Sequence, residues 1–279
     1  MLRGLTRAGL GAVTSDEQFM QLASAGGFQT VDLDARALIE RYGAEGAAEQ
    51  LAEYGLRLAS IDLPVEWRTD EETFRAGLPA LTEAAAAAHR LGCTRCCTYV
   101  LPSTDQNSAH FMVLATRRLR ICAQILGAYG IRLGLEFVGP HHLRTAWKNP
   151  FIWGMQETLD WIEAIGEPNV GLLLDAYHWY TNELHISDIE RLRPEQIVHV
   201  HLNDARDVPL EQVLDNDRLY PGEGVIDLAG FLRVLHAIGY EASVTQEILT
   251  PSAPTEEPER LVQRSREGYD RVFAAAGLL

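Results

Sequence analysis

Lysine is almost absent from this chain: Lys148 is the only one, and every other basic side chain is arginine. Acidic residues outnumber basic ones 39 to 24, a formal charge of −15. Such a surface repels a phosphodiester backbone unless a local basic groove intervenes, so nucleic acid is not expected as a partner. Cysteine is scarce too, with four residues at 93, 96, 97 and 122. Cys93 and Cys96 make one CxxC, but no second CxxC or Cys/His pair at zinc spacing follows, so the four are expected to be buried reduced thiols. No apolar run approaches the roughly 18 residues of a membrane span. The opening MLRGLTRAGLGAV carries Arg3 and Arg7 without the continuous apolar core of a signal peptide. The expected setting is therefore cytoplasmic, with no membrane partner. Also missing are a linker and any low-complexity segment.

What the chain has is a rhythm. Short apolar or β-branched runs at 6–13, 30–34, 56–63, 93–100, 131–138, 170–177, 197–204 and 242–249 read as strands. Between them, amphipathic stretches at 15–26, 37–55, 71–92, 111–130, 155–166, a short one near 186–192, 226–239 and 258–277 read as helices. Gly55, Gly92, Gly130 and Gly239 stand where four of these helices should end. Eight βα units at roughly 35 residues each match what a (β/α)8 TIM barrel needs, so residues 1–279 are expected to form one barrel domain. A doubly wound sheet would carry a glycine-rich phosphate loop after its first strand. Here that junction reads GAVTSDEQF, with neither GxGxxG nor a Walker pattern.

Chemistry in such a barrel sits at the C-terminal strand ends. Strand five ends LGLEFV with Glu136, strand six ends LLLDAYH with Asp175 and His178, strand seven ends HVHLND, and strand eight ends VTQEIL with Glu247. Carboxylates and an imidazole in apolar strands are costly to bury unpaired. A single inward carboxylate often has a salt-bridge partner, but no matching set of basic residues lies on these strands, and Arg57 and Arg132 stand at strand beginnings. A divalent cation resolves the cost. Oxygen-rich ligands with one nitrogen suit Mn²⁺ first, then Mg²⁺ or Co²⁺. His199 and His201 share a face of one strand. His201 lies nearer the mouth and is expected to bind the metal, while His199, one layer deeper, is expected to pack or to support a ligand.

The strings GLEF, LLLDAYH, HVHLND with its following arginine, PGEGVID and QEIL resemble the xylose isomerase-like barrel superfamily, which includes ketose 3-epimerases and inosose dehydratases. The resemblance is strong over 131–249 and rests elsewhere on the βα rhythm. It implies Glu136, Asp175, His201 and Glu247 as metal ligands, with Glu136 and Glu247 also the acid/base pair. It implies substrate contacts from His178 and Arg206, a small-molecule carbohydrate substrate, and a homodimer or homotetramer.

The implied reaction is isomerisation or epimerisation of a keto-sugar or related polyol, by proton transfer through a metal-stabilised enediolate. The alternative is a dehydratase or lyase using the same groups, either inosose dehydratase-like or eliminating from a 3-keto glycoside. A non-catalytic barrel subunit is the third reading, and the intact ligand set argues against it.

The chain also departs from its relatives' patterns. His142 stands where ketose 3-epimerases tend to carry a second glutamate for the substrate, and Asn203 where inosose dehydratases tend to have lysine. The loop 139–150 around His142 is therefore expected to set specificity. YPGEGVID is expected to shape a loop and start the next helix at Asp227, with Glu223 disfavouring a phosphorylated substrate. The trinuclear zinc site of AP endonucleases, from the same superfamily, is excluded because SIDLPV, TYVLPS and DRL lack the histidines it needs; Leu219 stands at one such position.

Overall fold

Alternating apolar residues place most strands where the sequence predicts them, and a computed structural model describes the whole chain, residues 1–279. The strands in chain order are β1 (Leu2–Leu5), β2 (Thr30–Val31), β3 (Arg57–Leu58), β4 (Ile61–Asp62), β5 (Arg95–Val100), β6 (Ser103–Thr104), β7 (Arg132–Phe137), β8 (Asn149–Pro150), β9 (Val170–Asp175), β10 (Ile197–Leu202) and β11 (Ser243–Gln246). Helices α1 (Asp16–Ala25), α2 (Ala35–Glu53), α3 (Glu71–Arg90) and α4 (Ser108–Gly127) lie between the early strands. They are followed by α5 (His141–Arg144), α6 (Met155–Ile165), α7 (Ala176–Thr181), α8 (Ile186–Glu190), α9 (Leu228–Ala237) and α10 (Pro258–Ala276).

The main sheet runs β3-β2-β1-β11-β10-β9-β7-β5-β4, with every pair parallel. Its two ends, β3 and β4, are two pieces of the single run 56–63. One piece pairs with β2 and the other with β5, which closes the sheet. The fold is a (β/α)8 TIM barrel. β6 and β8 form a separate antiparallel ribbon.

Side-chain caps start the helices where strands give way to loops. Ser15, Asp34, Asp70, Asn107 and Asp227 each accept a backbone N–H of the first turn. The four glycines expected at helix ends all have positive φ. Strand and helix side chains meet in one hydrophobic cluster of 70 buried residues, and all four cysteines are free and buried. Burial pushes the Cys93 thiol up to about 11 and the Cys122 thiol up to about 12, so neither is a ready nucleophile. No helix is long and apolar enough to cross a membrane.

The first strand corrects the sequence-based expectation. It is Leu2–Leu5, and residues 6–13 form the loop that follows it. Gly9 and Gly11 have φ of +81° and +67°, which breaks a strand but suits a loop folded over the barrel mouth. There the Tyr220 hydroxyl donates to the Gly9 carbonyl. The short helices α5 and α7 are also unannounced by the periodicity, being four and six residues long.

Inside the barrel, Gly4 faces hydroxyls. A Cβ there would lie 2.2 Å from Thr245 Oγ1, 2.6 Å from Ser243 Oγ and 2.7 Å from Thr30 Oγ1. Ser243 bonds to both threonines, so these groups form a polar layer with no room to spare. Gly4→Val is expected to lose about 1–3 kcal/mol through overpacking. A denaturant melt like that of the unaltered protein would show that the layer has slack.

Candidate metal centre

Three neighbouring strands bring three of the expected ligands level. His201 on β10 is in register with Asp175 on β9 and with Thr245 on β11. Glu247 follows β11 directly, its N–H bonded to the Leu202 carbonyl at 3.2 Å. Glu136 comes from β7, on the far side of β9. One ligand atom from each of Glu136, Asp175, His201 and Glu247 lies within 4.8 Å of all the others. From His201 Nδ1 the distances are 3.4 Å to Glu247 Oε2, 3.5 Å to Glu136 Oε1 and 3.8 Å to Asp175 Oδ2.

Two atoms of this group, Glu136 Oε1 and His201 Nδ1, are buried without a hydrogen-bond partner. Buried polar atoms are ordinarily satisfied, so two orphans facing one another among carboxylates leave a gap that a bound group could fill. Three oxygens and one imidazole nitrogen form a donor set that fits a divalent cation.

Charge is distributed unevenly over the group. Burial, reinforced by Glu247, raises the Glu136 carboxyl above its ordinary range. Burial works the same way on Glu247, but His201 and Arg218 prevail and hold it well below. On Asp175 burial is overcome chiefly by Arg218, and its carboxyl is lowered. His201 is raised well above an ordinary imidazole: burial opposes this, and the surrounding carboxylates, Glu247 first, outweigh it.

Arg218 is the functional residue that sequence reasoning missed. It comes from the loop after β10 and is almost completely buried. Nη1 donates to Asp175 Oδ2 at 2.9 Å and to Glu247 Oε2 at 2.7 Å. Nε and Nη2 donate to the Asp215 carbonyl and carboxylate, and the guanidinium lies 4.9 Å from the Tyr177 ring centroid. A basic partner for the acidic strand ends thus does exist, off the strands. One guanidinium shared with Asp215 does not neutralise three carboxylates, and it leaves Glu136 Oε1 unpartnered. The one signal in the sequence is the arginine of DNDRLYPGEG, beside Leu219.

The other expected residues are placed as follows. His178 is buried beside the cluster; its Nδ1 accepts from the Gly139 N–H at 3.3 Å, and its Nε2 is 3.9 Å from Glu136 Oε1. Arg206 turns away. Its Nε and Nη2 bind Asp217 at 2.7 and 2.9 Å, and its side chain is 53% exposed. His142 lies on α5 with a buried, unpartnered Nδ1. The loop around it is pinned by Arg144, which donates to the Gly139 and Thr181 carbonyls, and by Ser103, which donates to the Leu143 carbonyl.

The cluster opens into a cavity of about 780 Å³ whose wall includes Asp32, Ser60, Asp62, Tyr99, Glu136 and Glu247. Neither Arg206 nor any residue of 139–150 is among the residues that line it. YPGEGVID does shape a loop. Asp204 accepts the N–H groups of Gly222, Gly224 and Ile226, and Glu223 is occupied by Arg264.

A parallel barrel with three carboxylates and a histidine gathered at its C-terminal mouth defines the class. Over residues 20–271 the chain matches, and belongs to, the xylose isomerase-like TIM barrel family. It is 34% identical over 129 residues to an inosose isomerase of Halalkalibacterium halodurans, covering 46% of this chain and 43% of that protein. It is 26% identical over 234 residues to a ketose 3-epimerase of Arthrobacter globiformis, covering 79% and 73%. The chain spans about half the length of the inosose isomerases it matches. A xylose isomerase domain protein from Alicyclobacillus acidocaldarius superposes with a TM-score of 0.92 at 36% identity, covering 99% of each chain.

Removing Arg218 strands a buried charge on Asp175. Arg218→Leu is expected to cost about 3–5 kcal/mol in metal-free protein, part of it recovered when a divalent cation is added. Thermal unfolding in chelator and in Mn²⁺ reads both. Unchanged stability in chelator would show that Arg218 does not hold the cluster.

Proposed function

We propose that this protein is a divalent-metal-dependent isomerase or epimerase acting on a free keto-sugar or related polyol. The observation that carries the reading is the convergence of Glu136, Asp175, His201 and Glu247 within 4.8 Å, with two of the facing atoms buried and unpartnered. These four residues would hold the cation, Mn²⁺ by first preference. When bound, it supplies Lewis acidity toward the carbonyl and neighbouring hydroxyl oxygens of the substrate.

The chain's own residues do the rest. Glu136 and Glu247 both line the cavity and reach the cluster from different strands, so one carboxylate removes the proton next to the carbonyl and the other returns one. His178 accepts the Gly139 N–H at Nδ1 and presents Nε2 to Arg218 Nη2 at 3.5 Å and to Glu136 Oε1 at 3.9 Å, where it helps to orient Glu136 or a substrate hydroxyl. Asn203 donates to Asp175 Oδ1 at 2.9 Å and holds that side chain in place. Residues 1–279 act in this reading as one domain.

The cavity wall supports an uncharged substrate. Its arginines are already engaged: Arg7 by Asp16, Arg36 by Glu83, and Arg68 by Glu66, Thr98 and the Tyr99 carbonyl. Arg7 Nε and Arg68 Nε keep no partner, so this pairing lowers the wall's capacity for an anionic group without removing it. An inosose isomerase and a ketose 3-epimerase among the relatives point to the same substrate class.

The test is solvent deuterium uptake, in D₂O, by a panel of ketoses, inososes and keto-glycosides. Uptake at the carbon next to the carbonyl, without loss of a leaving group, is expected for at least one of them. Chelator should abolish it and Mn²⁺ restore it, and Glu247→Gln should lower it by about 10²–10⁴-fold. Full uptake by Glu247→Gln would remove the two-carboxylate mechanism, and release of water or an aglycone would assign the protein to elimination.

A further inference from the structure

Behind the cluster stands a carboxylate that none of this chemistry uses. Asp32 follows β2, its N–H bonded to the Leu5 carbonyl at 3.2 Å. Its Oδ2 lies 3.2 Å from His199 Nε2 and 3.8 Å from His201 Nε2. The two imidazoles meet edge to face, with centroids 5.2 Å apart and planes at 82°. His199 is fully buried, and Asp32 Oδ1 is buried without a partner.

The His201 ring is therefore flanked on both sides. Nδ1 faces Glu136, Asp175 and Glu247, while Nε2 faces Asp32. A neutral imidazole carries one proton, and the nitrogen that lacks it offers the lone pair. For His201 to ligate through Nδ1, its proton must sit on Nε2. That is the side on which Asp32 waits as acceptor. At 3.8 Å the contact is longer than a hydrogen bond. The shorter contact to His199 keeps the carboxylate facing the ring, so a modest rotation of either side chain completes it.

We propose that Asp32 is the positioning residue of this metal centre: its carboxylate, held by His199, accepts the Nε2 proton of His201 and fixes the tautomer in which Nδ1 is free to ligate. The inference rests on the metal reading above. It gives His199 a definite task, and it identifies, just past β2, a residue to which sequence reasoning assigned no role. Groups that fix the tautomer of a metal-bound histidine typically change metal affinity 10- to 100-fold when removed.

Zinc affinity, measured by chelator competition, tests the proposal alongside ¹H–¹⁵N spectra of the imidazoles in zinc-loaded protein. Asp32→Ala is expected to bind Zn²⁺ about 10- to 100-fold more weakly than the unaltered chain, with an unchanged far-ultraviolet circular dichroism spectrum. The His201 Nε2–H resonance should broaden or vanish. Asp32→Asn, which keeps an acceptor oxygen, should fall between the two. Unaltered zinc affinity and an unaltered His201 resonance in Asp32→Ala would overturn the proposal, as would two zinc ions per chain with Asp32 ligating the second. Failure of the unaltered protein to take up zinc or any other divalent cation would instead overturn the metal reading, and this one with it.

Discussion

Burying three carboxylates around one imidazole is the constraint on which the rest of the barrel mouth depends. Each ionised carboxylate withdrawn from water carries a desolvation cost that only opposite charge and donated hydrogen bonds offset. The structure meets that cost with named groups. Arg218 serves Asp175 and Glu247, Asn203 and the Tyr177 N–H serve Asp175 Oδ1, and His201 sits amid all three acids. Glu136 Oε1 and His201 Nδ1 remain unserved. The compensation is therefore incomplete in the place where a cation fits.

The scaffold makes this cluster rigid. β9, β10 and β11 pair in parallel, so register fixes the level of Asp175, His201 and Glu247, and β7, paired with β9, brings in Glu136 from the next strand. Loops are fastened rather than free. Asp204 gathers backbone N–H groups of residues 222–226, and its backbone pairs with Leu219, next to Arg218. Arg218 reaches the cluster because that bridge and the bond from its own N–H to the Leu249 carbonyl set its backbone. Preorganisation of this kind lets a site act on developing charge without rearranging at the moment of reaction.

Much of this was legible in the residues. Apolar strands ending in Glu136, Asp175 and Glu247 stand out because burial is visible as a hydrophobic run, and depth along one strand separates His201 from His199. The legible part ends where contacts depend on how loops fold back. Periodicity does not tell which loop arginine turns inward: Arg218 reaches the cluster, while Arg206 pairs with Asp217. TRAGLGAV looks like a strand by composition, yet two left-handed glycines make it a loop, and the true first strand is only four residues long. Asp32 lies in the run 30–34 that reads as a strand, but nothing in that run tells that its carboxylate meets the two histidines of β10.

The chemistry proposed for this barrel mouth depends on the cation. Anomalous diffraction from crystals soaked in Mn²⁺ addresses it most directly, because it locates the ion without reference to any substrate. One strong peak per chain bonded to the Glu136, Asp175 and Glu247 carboxylates and to His201 Nδ1 is the expected result. A map with no peak among these residues, or with manganese held elsewhere in the chain, would contradict it.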